Sequence, residues 1–315
     1  MDEKGFVAIG GIEQWVTIKG DHCDNPIILF ISGGPGNPLS PYSDAVYGAW
    51  AKDFTLVQWD QRGAGMTYGR SPPAEDAVLT IQQMRDDGVE LAAYLAHRFG
   101  KRKVILWGSS WGSILGVHMA KARPDLFHAY LGTSQVVNYS ENQRISYARL
   151  LAVVGASNDA ASLGVLEGVG PPPWTDPRSF GKVRRVIRKY EAKVTTPAPE
   201  AWWTPAAEYR TPKAQADYAA GEDYSFLNFV GLKGDGMASQ VDLPALGTDF
   251  AIPMFFVEGA QDLLATPDVA QRYYDSLTAP AKHLVLLQDA GHDPNQDVVD
   301  AEYAILMERI RPLAK

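Results

Sequence analysis

One serine in the chain has glycine on either side at the offsets required by a strained strand-to-helix turn: Gly108-Ser109-Ser110-Trp111-Gly112. The apolar stretch before it, 104–107, reads as a buried strand, and a helix-like segment follows through Met119. In such a turn the serine oxygen stands clear of the backbone. Glycine is needed at 108 and 112 because strand and helix pass too close for side chains there. Ser109 and Ser113 lack this double flank. The chemistry implied is nucleophilic attack on an acyl carbon. It requires a base beside the serine and a carboxylate to orient that base.

With the nucleophile on a turn of this kind, its partners come later in the chain, acid first and histidine second. Of six histidines, His22, His97, His118 and His128 precede that position or fall within helices, and His283 opens a strand. His292 lies in the loop Asp289-Ala290-Gly291-His292, just after a strand, and is the expected base. The expected acid is Asp262, in the loop Glu258-Gly259-Ala260-Gln261-Asp262 after the preceding strand. Glu258, at the strand end, is the runner-up, and Asp289 is too close in sequence to His292 to be preferred. Two amides must also face the oxyanion, each worth about 3 kcal/mol. The Trp111 amide, at a helix start where the dipole helps, is one candidate. The other is Gly34, in Ser32-Gly33-Gly34-Pro35-Gly36, where Gly33 and Gly34 leave room for a substrate carbonyl.

These residues need a scaffold, and the hydrophobic pattern supplies one. Strands are expected over 6–9 and 12–18 around Gly10-Gly11, then over 27–31, 54–59, 104–107, 129–133, 253–257 and 283–287. The unbroken apolar runs mark strands buried on both faces. Helices are expected over 42–52, from the capping start Thr80-Ile81-Gln82-Gln83 to the stop at Gly100, after Ser110, and over 267–276 and 298–310. Strand alternating with helix predicts an α/β fold, a mostly parallel sheet with helices on both faces. From 139 to 247 strand-like runs vanish. Helical segments over 144–154, 180–193 and 213–220 are separated by proline-rich breaks, and Trp174, Trp202 and Trp203 concentrate there. The expected division is a core of 1–138 and 248–315, with 139–247 as a helical cap over the sheet's carboxyl edge, where ligands bind.

Composition narrows the function. The 315 residues are 46% apolar and 21% charged, with a net charge of −8. That balance argues against nucleic acid as the main partner. Cys23 is the only cysteine, so no intramolecular disulfide can form, and no Cys/His cluster has metal-ligand spacing. No apolar run approaches the roughly 18 residues needed to cross a bilayer. The start Met1-Asp2-Glu3-Lys4 has no apolar signal core and reads as cytoplasmic, a removed leader being invisible in it. Oligomeric state is left open.

Gly33-Gly34-Pro35-Gly36, Asp60-Gln61-Arg62-Gly63-Ala64-Gly65, Gly108-Ser109-Ser110-Trp111-Gly112-Ser113 and the late Asp262 and Gly291-His292 together resemble the proline iminopeptidase group of α/β-hydrolases. The motifs follow the group's order and cover nearly all the chain outside 139–247. The resemblance implies a serine peptidase that removes an N-terminal residue, often proline, beneath a helical cap, without metal or organic cofactor. Three departures stand out. Ser32 replaces the usual histidine before the glycine turn. Ala64-Gly65-Met66-Thr67 replaces a stretch that usually carries Cys and Arg-Ser. The tryptophan-rich Trp-Glu context of the amine-binding glutamates is absent, leaving Glu208 and Glu222 as the nearest candidates, with Trp202 and Trp203 as pocket-lining candidates. Three functions follow: an aminopeptidase acting on small peptides; an esterase, lactonase or amide hydrolase acting on small acyl compounds with the same residues; or a non-catalytic binding module. Ser110 in place of aspartate argues against dehalogenase and epoxide-hydrolase chemistry.

Overall fold

A computed structural model describes residues 1–74 and 76–314, and in it the apolar runs become the strands of one sheet. They are β1 (Asp2–Ile9), β2 (Ile12–Lys19), β3 (Ile27–Ile31), β4 (Thr55–Trp59), β5 (Val104–Ser109), β6 (Phe127–Thr133), β7 (Met254–Gly259) and β8 (Lys282–Leu287). Their order is β1-β2-β4-β3-β5-β6-β7-β8. The β1–β2 and β2–β4 pairs are antiparallel and the remaining pairs parallel. The helices are α1 (Ser43–Tyr47), α2 (Gly65–Arg70), α3 (Ile81–Arg98), α4 (Trp111–Ala122), α5 (Tyr139–Gly155), α6 (Ala160–Val169), α7 (Pro177–Glu191), α8 (Pro212–Val230), α9 (Pro267–Ser276) and α10 (Gln296–Ile305).

Every residue of β3 and β4 is buried, as a strand covered on both faces requires. Side chains alternate between the faces. Ile27, Leu29 and Ile31 join Leu91 and Leu95 of α3 and Ile114 of α4 in one apolar cluster. Ile28 and Phe30 join Tyr47 of α1, Trp50, and Val298 and Ile305 of α10 in another. The expected helix over 42–52 is α1 followed by a 3-10 turn, and that over 298–310 is α10 followed by a π turn. The Thr80 hydroxyl accepts the Gln83 amide at 3.1 Å, which fixes the start of α3.

Between β6 and β7 the chain runs through α5 to α8 and short 3-10 turns. Helices α5, α6 and α7 share their own apolar cluster, including Leu150, Leu166, Val183 and Ile187, and Leu263 and Leu264 from the loop after β7 pack against it. Helix α8 approaches the backbone after β4 closely. A Cβ at Gly221 would stand 3.0 Å from the Gly63 carbonyl oxygen, and Ser225 Oγ donates to that oxygen at 2.7 Å. Among the described residues no helix is long and apolar enough to cross a membrane.

Candidate active site

The loops after β3, β5, β7 and β8 meet at the carboxyl edge of the sheet, and each brings one part of the site. Ser110 follows β5 with φ 53° and ψ −119°, left-handed backbone that a non-glycine residue adopts only under constraint. The constraint is visible. The Ser110 amide donates to the Thr133 carbonyl at 3.1 Å, and the Ser110 carbonyl accepts the Ser113 amide at 2.9 Å and the Ser113 hydroxyl at 2.6 Å. Both flanking glycines are required by space. A Cβ at Gly112 would lie 1.9 Å from the Ile31 oxygen, and one at Gly108 would lie 2.5 Å from the Gly112 oxygen.

His292 Nε2 stands 3.0 Å from Ser110 Oγ, and its Nδ1 stands 2.8 Å from Asp262 Oδ2. The other carboxylate oxygen of Asp262 accepts the Leu264 and Ala265 amides, each at 2.7 Å. Asp262 is fully buried and only 8% of the His292 side chain is exposed. Burial works to lower the imidazole pKa. The charge of Asp262 and its hydrogen bond outweigh that, aided by Asp293 and Glu191, so the net shift is upward. The hydroxyl, imidazole and carboxylate thus form one continuous hydrogen-bond chain that can take a proton from Ser110 and stabilise the imidazolium.

The loop after β3 lies directly over Ser110. A Cβ at Gly33 would come within 3.2 Å of Ser110 Cβ, and Gly34 has φ +113°. Gln61 ties this loop to the serine turn: its Nε2 donates to the Ser32 carbonyl at 3.1 Å and its Oε1 accepts the Trp111 indole N–H at 3.0 Å. The Trp111 amide opens α4, so no carbonyl within the helix accepts it.

Two cavities meet at Ser110, Gly34 and Arg184. The more enclosed one is largely apolar, walled by Trp111, Tyr139, Trp174, Phe180 and Phe229. The other opens past Tyr42, Trp203, Tyr218, Arg188 and Asp293.

Not every expected residue reaches this place. Glu208 does not: it pairs with Lys4 of β1 beside a separate hollow, because the 3-10 turn that carries it packs on the far strands of the sheet. Trp202 is buried in the apolar cluster beneath the sheet edge rather than in a cavity, while its neighbour Trp203 lines the open cavity and meets Tyr42 edge to face at 6.1 Å. Glu222, half-buried on α8, acts through its charge on Tyr42, Tyr218 and Arg184, all of which line the open cavity. Among the described residues Glu258 forms no hydrogen bond with His292. Its oxygens accept the Gln135 amide at 3.2 Å, and burial pushes its pKa well above the usual range.

Two residues absent from the sequence reading stand at the site. Glu191 of α7 accepts the Leu263 amide at 2.6 Å and the His292 amide at 3.3 Å, bracing the loops of both Asp262 and His292. Burial, then the nearby charge of Asp262, raises its pKa to about 7. Arg184, two turns earlier, faces both cavities. Arg184 and Glu191 are seven residues apart on one helix face, beside the stripe of Val183, Ile187 and Tyr190, but Arg188 shares that face, so spacing alone does not single them out. Among the described residues no His, Cys, Asp and Glu side chains group as a metal site requires.

The strand order, the strained turn after β5, and the acid and imidazole after β7 and β8 are those of an α/β-hydrolase. More narrowly, the chain belongs to the serine aminopeptidase S33 family, whose model matches residues 26–298, and so is a serine hydrolase. It is 28% identical over 306 residues to the probable aminopeptidase YbaC of Bacillus subtilis (strain 168), covering 92% of this chain and 90% of that protein. It is 26% identical over 300 residues to a probable proline iminopeptidase of Streptomyces coelicolor, covering 91% and 88%. Among solved structures, VinJ matches with a TM-score of 0.71 at 19% identity over 99% of each chain. The proline iminopeptidase of Mycobacterium smegmatis matches with a TM-score of 0.70 at 18% identity over 100% of this chain and 99% of that one. The two structures speak to fold alone.

Proposed function

We propose that the protein is an aminopeptidase of the proline iminopeptidase type, releasing an N-terminal residue through an acyl-enzyme on Ser110. The observation that carries this reading is the hydrogen-bond chain Ser110–His292–Asp262 at the mouth of two cavities. Ser110 Oγ attacks the scissile carbonyl as its proton passes to His292 Nε2, and Asp262 holds the imidazole through Nδ1–H. The amides of Trp111 and Gly34 receive the oxyanion. The imidazolium then gives its proton to the departing amine, and water, activated by the same imidazole, releases the acyl group and restores the serine. Residues 139–247 act as a cap over the core of 1–138 and 248–315, and the apolar cavity takes the side chain of the acyl residue. Glu222 is the proposed counter-charge for the free amine, which its half-buried position beside the open cavity supports. The aminopeptidase and proline iminopeptidase relatives support the substrate class at modest identity.

The same machinery hydrolyses esters and lactones, and the apolar wall of Trp174, Phe180 and Phe229 suits an acyl group with no amine at all, so an esterase, lactonase or amide hydrolase is the second reading. A fluorophosphonate probe and a small substrate panel test both. Wild type is expected to label, and Ser110→Ala to lose labelling and about 10⁵-fold in kcat. Prolyl and alanyl arylamides are expected to outpace the N-blocked arylamides and simple aryl esters. Undiminished turnover after blocking the amine would leave the esterase reading in its place.

A further inference from the structure

Arg184, half-buried, forms no ion pair among the described residues, although the charges of Asp293, Glu222 and Glu191 reach it. Its guanidinium faces the enclosed and the open cavity where they join beside Ser110 and Gly34. Its Nε is buried and, among the described residues, has no hydrogen-bond acceptor. The contrast with Arg62 is direct: that half-buried arginine gives Nε and a terminal nitrogen to Asp87 at 2.8 and 3.0 Å and its terminal nitrogen also to the Gly10 carbonyl. Arg188, one turn on from Arg184, reaches toward Asp293 at 3.9 Å at the cavity mouth. An arginine stays charged in proteins and presents a planar fork that matches a carboxylate. Leaving the Arg184 Nε buried without an acceptor is costly, so an anionic partner is the arrangement that resolves it.

Which part of the substrate carries that anion follows from the cavities, on the reading of the site given above. The acyl residue's side chain occupies the enclosed apolar space, and the leaving group lies toward the open side. Arg184 stands at the junction. In a dipeptide the free carboxylate is one Cα beyond the scissile nitrogen, so it falls at this junction. In a longer peptide the same position holds a neutral amide and the chain must continue out past Trp203, Arg188 and Asp293. The charge of Glu222 reaches Arg184 as well as Tyr42 and Tyr218, so the site offers a counter-charge for an amine and one for a carboxylate.

We infer that Arg184 is a specificity-determining residue that binds the free carboxylate of the leaving amino acid, and that the preferred substrates are dipeptides.

The test compares Pro-Ala with Pro-Ala-amide. For wild type, kcat/KM is expected to be about 30-fold higher for the free acid, the range of one charge-assisted contact. In Arg184→Gln the ratio is expected to fall to about 1, and Arg184→Lys, which keeps the charge but not the fork, to give an intermediate ratio. Fluorophosphonate labelling of each variant at Ser110 reports that its site is assembled. A wild-type ratio near 1, or a ratio unchanged in a labelled Arg184→Gln, overturns the inference. Should neither dipeptide turn over while phenyl acetate does, the aminopeptidase reading fails, and Arg184 is judged on esters. A preference of wild type but not Arg184→Gln for 3-carboxyphenyl acetate over phenyl acetate then supports carboxylate binding, and no preference overturns it.

Discussion

Glu191 lies 72 residues before Leu263 and 101 before His292, yet its carboxylate holds the backbone of both. It touches neither the hydroxyl nor the imidazole ring, so its effect on the reaction is through placement and charge. Glu191→Gln keeps one acceptor and removes the negative charge. Weakened bracing should lower kcat by about 10-fold. Because the Glu191 charge, which develops around pH 7, helps hold the His292 pKa up, its removal should also move the ascending limb of the pH–kcat profile toward lower pH. A lower kcat with an unmoved limb would confine Glu191 to a packing role. Such residues escape a sequence reading for a physical reason. Ser110 is marked by its own neighbours, since the glycines that permit the turn are two positions away, and Asp262 and His292 by loops that follow strands. Nothing local separates Arg184 and Glu191 from Arg185, Arg188 or Lys189 on the same helix, because their partners come from other loops. Glu208 misleads in the same way: beside tryptophans it looks like a pocket acid, and only its ion pair with Lys4, 204 positions away, shows otherwise.

Among the elements, the strands were the most legible. The runs 27–31 and 104–107 are apolar because neighbours cover them, whereas 283–287 lies in the edge strand β8 and is only half-covered; the structure keeps the first run and extends the other two by a residue or two. The helices between β6 and β7 were harder. Helix α6, with the sequence AASLGVLEGV, offers no clear polar face, and α8 runs on to Val230 well past the expected 213–220. Its Gly221 reads as a breaker, but it is there to let the helix meet the Gly63 backbone. The coupling between elements was hidden too, and Gln61 is the case in point. Located after β4, it joins the loop after β3 to the first residue of α4, the two carriers of the proposed oxyanion donors. Gln61→Ala removes both bonds and should lower kcat about 10-fold or more while KM changes little, with a stability loss of about 1–3 kcal/mol. Thermal melting and steady-state kinetics on one arylamide check it. A rise in KM alone would detach Gln61 from the transition state.

The whole molecule carries several buried carboxyls whose ordinary pKa values are overridden by burial: Asp60, Glu191 and Glu302 are each raised to about 7. For Glu302, burial is opposed by hydrogen bonds from Thr133 and Trp107 at 2.6 and 3.1 Å, and one oxygen has no partner among the described residues. Between 4.5 and about 7 the folded chain keeps a proton that the unfolded chain gives up. The stability from this carboxyl is therefore full below 4.5 and is lost as pH rises through about 7. Glu302→Gln fixes the neutral form, so its melting temperature relative to wild type should be more favourable at about pH 8 than at about pH 5. Equal differences at the two pH values would mean the group does not titrate in this window. The brace from α7 has a further implication at this scale. The helix that shapes the wall of the binding space also steadies the base, so taste and pace share one support. Changes in α7 that admit a bulkier guest re-aim the imidazole as well. Trp174, which lines the same space from elsewhere in the chain, is where breadth can be gained without slowing the engine.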